Sequence, residues 1–146
     1  MKIHLPERPC ISDYDDLTDL WEKSVRATHS FLREEDIIFF KSLIRNEYLF
    51  LVDLFGYKDK QGQWIAFMGI SGNKLEMLFL LPSARGKGFG KCLIEYAVKT
   101  LGIDAVDVNE QNEQAVGFYL HLGFRIIGRD AVDNTGKPYP ILHLQL

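Results

Sequence analysis

Hydrophobic and polar positions change rhythm along this chain, and the changes mark its elements. Apolar side chains fall at Tyr14, Leu17, Leu20, Trp21 and Val25, followed by Thr28, the spacing of one helix face. Ser12-Asp13-Tyr14-Asp15 is a capping signal in front of that helix, and Arg26 to Leu32 forms its exit. The acidic turn Glu34-Glu35-Asp36 opens a second helix with Ile37, Phe40 and Ile44 on one side. From Tyr48 the rhythm becomes that of strands: Tyr48 to Tyr57, Trp64 to Ser71 and Lys74 to Leu81. The polar turn Lys58 to Gln63 and the tight turn Gly72-Asn73 separate them, which predicts an antiparallel meander. Lys2 to Cys10 alternates loosely and carries Pro6 and Pro9, so it predicts at best an edge strand.

In the second half, Phe89, Cys92, Leu93, Tyr96, Ala97 and Leu101 trace one buried helix face, and Gly102 stops the helix. Asp104 to Val108 reads as a short strand reached from Leu81 through that helix, and therefore parallel to the strand ending at Leu81. Asn112 caps another helix bearing Ala115, Val116, Tyr119, Leu120 and Leu122, ahead of Gly123-Phe124. Arg125 to Val132 and Tyr139 to Leu146 make a closing hairpin across Asp133-Asn134-Thr135-Gly136. The order β-α-α-β-β-β-α-β-α-β-β predicts a single-domain α/β fold with a mixed, mostly antiparallel sheet flanked by helices.

Composition narrows the partners. The 146 residues are 47% hydrophobic and 25% charged, which fits one soluble globular domain over 1–146. A net charge of −3 disfavours nucleic acid as a partner. No apolar run approaches the ~20 residues that cross a bilayer, so no membrane association is expected. The start, Met1 to Arg8, lacks the apolar stretch of a signal peptide. Cys10 and Cys92 form no disulfide framework, and neither they nor His4, His121 and His143 have metal-ligand spacing. A free-thiol protein of the cytoplasm is expected, with no metal. Trp21 and Trp64 fit core positions.

The chemistry concentrates after Leu78-Phe79-Leu80-Leu81-Pro82. Arg85-Gly86-Lys87-Gly88-Phe89-Gly90-Lys91 joins a strand to a helix and combines three glycines with three cations. Backbone amides at a helix start, flanked by positive charge, suit a phosphate-bearing ligand. A Walker loop does not fit: three residues separate Gly86 from Gly90-Lys91, and Cys92 follows where a Ser or Thr would ligate magnesium. A dinucleotide fingerprint does not fit either, because Leu93 stands where its third glycine belongs.

Arg85-Gly86-Lys87-Gly88-Phe89-Gly90 resembles the R/Q-x-x-G-x-G/A signature of the GNAT superfamily of N-acetyltransferases. Asn112 to Phe124 resembles that family's second signature, N-x-x-A-x-x-F-Y-x-x-x-G-F. Their order and separation match, and the segment Leu20 to His29 is similar to a branch of small bacterial members. The resemblance implies a sheet splayed between the strand ending at Leu81 and the strand Asp104–Val108, with acetyl-coenzyme A as co-substrate. It further implies that the amides of Arg85, Gly86, Lys87, Gly88, Phe89, Gly90 and Lys91 hold the pyrophosphate. Backbone groups near Phe79, Leu80 and Leu81 would meet the pantetheine arm and the thioester carbonyl, and Asn112 would touch the arm.

Tyr119 is the expected general acid toward the departing thiolate; the plain alternative is a core tyrosine on an amphipathic helix. Glu76, a charge between Leu75 and Met77 that by alternation shares a face with Leu78 and Leu80, is the first candidate for general base. His29, which titrates near neutrality at the first helix exit, is the second. Either is equally read as a solvated surface group. Cys92, on a buried face with no activating histidine, reads as packing. The expected activity is direct transfer of an acetyl group to a primary amine of a small molecule or peptide. A non-catalytic acyl-coenzyme A sensor and a nucleotide-binding protein remain open beside it, as does the choice between monomer and homodimer.

Overall fold

The computed structural model describes residues 5–146. Of the expected edge strand at Lys2–Cys10, residues 2–4 lie outside the described range. The rest contributes one bridge, Glu7 to Gly56, beside β1. The six strands are β1 (Asp53–Lys58), β2 (Trp64–Ser71), β3 (Lys74–Leu80), β4 (Ala105–Asn109), β5 (Arg125–Asp130) and β6 (Ile141–Gln145). They lie in the order β1-β2-β3-β4-β6-β5, and only the β3–β4 pair is parallel. The mixed, mostly antiparallel sheet is therefore as the sequence implies, with the strand expected at Asp104–Val108 displaced by one residue.

Helix α1 (Tyr14–Thr28) buries Leu17, Leu20, Trp21 and Val25, the face that the spacing defined. Its start differs from expectation. The reciprocal cap joins Cys10 and Asp13, with the Cys10 amide donating to Asp13 Oδ2 at 2.9 Å, and a short 3-10 turn at Ile11–Asp13 leads into the helix. Helix α2 (Glu34–Leu43) begins on its acidic turn.

The segment expected to open the first strand is helical instead. A π turn at Ile44–Tyr48 and the short α3 (Leu49–Leu51) prolong α2, and the strand begins only at Asp53. No glycine or proline interrupts residues 34–53. The wider π turn brings Ile44 and Leu49, five residues apart, into the same core, where Leu49 is fully buried. Burial here overrides the strand preference of Tyr48, Phe50 and Val52.

Two cores sandwich the sheet. One packs α4 (Phe89–Lys99) and α5 (Glu113–His121) on the sheet through Leu93, Ile94, Ala97, Tyr119 and Phe124; the other packs α1 and α2 on β1–β3. Strand β3 serves both: Leu75, Leu78 and Leu80 belong to the first, and Met77, Phe79 and Leu81 to the second. That assignment requires a break in alternation, and Glu76 provides it. Met77 pairs with Gly69 and Leu75 with Ile70, so Glu76 is the extra residue of a β-bulge. Strict alternation, which put Glu76 on the face of Leu78 and Leu80, is corrected by that bulge. Gly69 is required opposite it, because a Cβ there would come within 2.7 Å of the Val52 side chain.

Phe67 on β2 is fully buried and stacks on Phe79 at 5.8 Å between ring centroids. Phe67→Ala is expected to cost about 3–5 kcal/mol in urea unfolding; a loss below ~1 kcal/mol would contradict this packing.

Candidate active site

The β3–β4 ladder consists of Lys74 with Ala105 and Leu75 with Val106, and then it stops. Beyond it the strands separate, leaving a cleft with β3 from Glu76 to Leu80 on one wall and Asp107 to Asn109 on the other. Orientation along β3 follows from one bond: Leu81 donates to Ile65 O at 2.8 Å, toward β2. Because backbone groups of successive strand residues point to opposite sides, the N–H and C=O of Leu80 and Leu78 turn into the cleft. The Leu81 carbonyl accepts from Ala84 at 2.9 Å, so both Leu81 backbone groups are engaged within the protein and Leu80 presents the free pair.

The glycine loop closes one end of the cleft. A 3-10 turn at Pro82–Ala84 follows β3, Gly86 and Gly88 take φ of 73° and 90°, and Gly88 is the N-cap residue of α4. Those angles let the chain reverse without a Cβ clash. Among the described residues, no backbone carbonyl accepts the amides of 86–91, which leaves a run of donors at a helix start. A Cβ at Gly90 would lie 3.7 Å from Phe118 Cζ and 3.8 Å from Leu80 Cδ1, so the α4 start, α5 and the β3 end converge there. Arg85 donates to Gln114 Oε1 at 2.6 Å and ties the loop to α5.

Helix α5 starts on Asn112, whose Oδ1 accepts from the Ala115 amide at 3.4 Å. Tyr119, 5% exposed, packs against Phe118 and Phe124 at 5.4 and 6.0 Å between ring centroids. Burial raises its hydroxyl pKa well above the ordinary tyrosine value, so the group keeps its proton. Glu76 is exposed to solvent, and its pKa is raised, first by partial desolvation of the carboxyl and then by the nearby Asp107 carboxylate, with Lys74 opposing. His29 is pushed down to about 4 by burial and by Arg85, and stays neutral at physiological pH. Its Nε2 lies 3.5 Å from Asn112 Nδ2, so the end of α1 meets the start of α5.

Cys92 is half-buried against the α4–α5 core, and Cys10 is a free, exposed thiol. Trp21 and Trp64 are buried.

The sequence reading missed a polar cluster beside Glu76. His143 Nδ1 lies 2.7 Å from Asp107 Oδ1, its Nε2 lies 2.7 Å from Asp130 Oδ2, and Lys74 Nζ reaches Asp107 Oδ2 at 3.1 Å. Carboxylates only accept, so a ring that bonds both must donate from both nitrogens, and these bonds raise the pKa of His143. Alternation carried the signal: Asp107 stands between Val106 and Val108, and His143 between Leu142 and Leu144. A second missed group ties the β5–β6 connection to α2. Asp36, 8% exposed, accepts from the Tyr139 hydroxyl and pairs with Lys137 Nζ at 2.8 Å. Phe31 and Phe40 pack on the Tyr139 ring at 6.0 and 6.2 Å.

These features coincide with known proteins. A family model described as an acetyltransferase (GNAT) domain matches residues 48–126. Peptidyl-lysine N-acetyltransferase YjaB of Escherichia coli K12 is 42% identical over 130 residues, 89% of this chain and 88% of that protein. The solution structure of apo-form YjaB from E. coli aligns with a TM-score of 0.89 at 39% identity, covering 99% of this chain and 97% of that one. PaiA N-acetyltransferase from Thermoplasma acidophilum, solved in complex with coenzyme A, shares the fold at 23% identity with a TM-score of 0.73, covering all of both chains. The chain belongs to the GNAT family of acetyltransferases. Its activity is acetyl-coenzyme A-dependent N-acetylation, the enzymatic one among the readings that the sequence left open. No helix among the described residues is long and apolar enough to cross a membrane.

The His143 cluster has a measurable pH signature. The folded ring holds its proton above the ordinary value of 6.5, so its contribution is complete below that value and is lost as pH rises through the raised one. The stability gap between the natural chain and His143→Gln should therefore be widest near pH ~5.5 and close toward pH ~9 in denaturant titrations. A gap that widens with pH would contradict the doubly bonded imidazolium.

Proposed function

We propose that this enzyme moves the acetyl group directly from acetyl-coenzyme A to an amine in a ternary complex, and that the acceptor is a lysine side chain of a peptide or protein. The observation that carries the reading is the arrested β3–β4 ladder, which leaves unpaired backbone groups of Leu78 and Leu80 between Glu76 and buried Tyr119. An extended amide-containing arm fits such an edge as a strand partner, and the donors of 86–91 suit the pyrophosphate at its end. Asn112 adds a side-chain contact to the arm.

Glu76, made more basic by partial desolvation and by Asp107, takes a proton from the acceptor ammonium through water. The amine lone pair then attacks the thioester carbonyl, and the cleft-facing amides of β3 hold the oxyanion. The C–N bond forms, the C–S bond breaks, Tyr119 delivers its proton to the leaving sulfur, and the second proton shed by the acylated nitrogen returns through water to the Tyr119 oxygen. His29 is not given the role of base, because a ring of pKa about 4 is weakly basic. Support for a lysine acceptor comes from YjaB and from YiaC of E. coli, also a peptidyl-lysine N-acetyltransferase, 28% identical over 131 residues, 87% of each chain. The free exposed Cys10 thiol and the co-substrate fit the cytoplasm.

Tyr119→Phe is expected to lower kcat about 10–1,000-fold while coenzyme A affinity changes little. Normal turnover of that variant removes the acid assignment. In the natural enzyme the acidic limb of kcat should lie above the usual glutamate range, since the Glu76 pKa is raised. Glu76→Gln should lower kcat and abolish that limb; an unchanged limb assigns it to another group. A lysine-containing peptide panel read by thiol release tests the acceptor, and turnover on free polyamines alone would contradict the peptide reading.

A further inference from the structure

His29 is a half-buried titratable group that the mechanism above leaves unused, and its surroundings define its state. Thr28 Oγ1 donates to the Ser24 carbonyl at 2.8 Å, because a carbonyl can only accept. The same hydroxyl lies 2.7 Å from His29 Nδ1 and has spent its proton, so Nδ1–H must be the donor. The ring is neutral, which leaves the lone pair on Nε2. Across the cleft mouth, Asn112 Oδ1 is engaged by the Ala115 amide, so the Nδ2 group turns to His29, 3.5 Å away. The roles match from end to end: Thr28 fixes the tautomer, the tautomer makes Nε2 an acceptor, and Asn112 presents a donor to it. Phe31 packs on the ring at 5.2 Å and limits its rotation. Arg85, whose charge disfavours the imidazolium, helps keep that lone pair free.

We infer that His29 is a positioning residue for the donor substrate: its Nε2 holds the Asn112 side chain, and with it the start of α5, at the cofactor cleft. The inference rests on the proposed contact between Asn112 and the acetyl-coenzyme A arm. It also accounts for a histidine at the end of α1, since this contact links the helix on the acceptor side to the helix on the donor side. A glutamine can accept the same bond but cannot serve as a base near neutrality, which separates positioning from proton transfer.

The experiment compares Asn112→Ala, His29→Ala, His29→Gln and Thr28→Val by calorimetric titration with coenzyme A and by steady-state kinetics. Asn112→Ala and His29→Ala should each weaken coenzyme A binding and raise KM for acetyl-coenzyme A about three- to tenfold, the loss of one ordinary hydrogen bond. For His29→Ala, kcat at saturation should stay within about twofold, and the double variant should lose no more than either single one. His29→Gln should regain most of the affinity, and Thr28→Val should fall between the natural chain and His29→Ala. Nitrogen chemical shifts of the free protein at pH 7 should report a neutral His29 ring protonated on Nδ1. If Asn112→Ala binds normally, the assignment of Asn112 fails and this inference with it. If Asn112→Ala is weakened while His29→Ala is not, only the part given to His29 is overturned. A His29→Gln variant that keeps its affinity but loses kcat overturns positioning in favour of proton transfer, as does a charged ring at pH 7.

Discussion

Backbone N–H and C=O groups inside a protein must find partners, and the arrested ladder between β3 and β4 leaves a row of them without any in the sheet. The rest of the molecule is arranged around that deficit. Two pairs at Leu75 and Lys74 hold the strands together at one end, and the sheet continues unbroken on both flanks. The cleft is therefore held open by the fold and does not have to be opened by its ligand. The glycine loop extends the same deficit past the strand end, with donors that lie at a helix start and have no protein acceptor among the described residues.

Rigidity around the opening comes from two separate cores. Helices α4 and α5 are packed on one face and α1 and α2 on the other, and β3 contributes side chains to both. The acid and the base of the proposed mechanism stand in different surroundings as a result. Tyr119 is sealed among aromatic rings and keeps its proton, while Glu76 stands at a bulge within the field of Asp107 and Lys74. Placing the two groups in different environments separates their tasks.

The parts of the fold written in local patterns were legible in the chain. The faces of α1 and α4, the β2 and β3 spans, the Asn112 cap and the two signature segments all rest on short-range spacing or on residues with one dominant role. The helical stretch 44–51 was not, because its strand-forming residues are held helical by contacts with a core assembled from distant parts of the chain. The bulge at Glu76 escaped for a related reason: a break in alternation becomes visible only against the partner strand. The Asp107–His143–Asp130 group needed the antiparallel β4–β6 register, and the contact of His29 with Asn112 joins residues 83 positions apart. Alternation marks Asp107 and His143 singly, but which residues pair over such separations is not written locally.

The bulge also bears on how this strand can vary in length. With its extra residue in place, Leu75 shares one core with Leu78 and Leu80 while Met77 and Phe79 enter the other. Removing Glu76 would restore plain alternation and leave Leu75 on the face of Leu78 and Leu80, still opposite Ile70, so neither core needs the extra residue. What the shortening would remove is the carboxylate that stands beside Asp107 and Lys74. The extra residue is thus tied to the candidate site and not to the packing: a deletion at residue 76 would take away the carboxylate and leave both layers as they are.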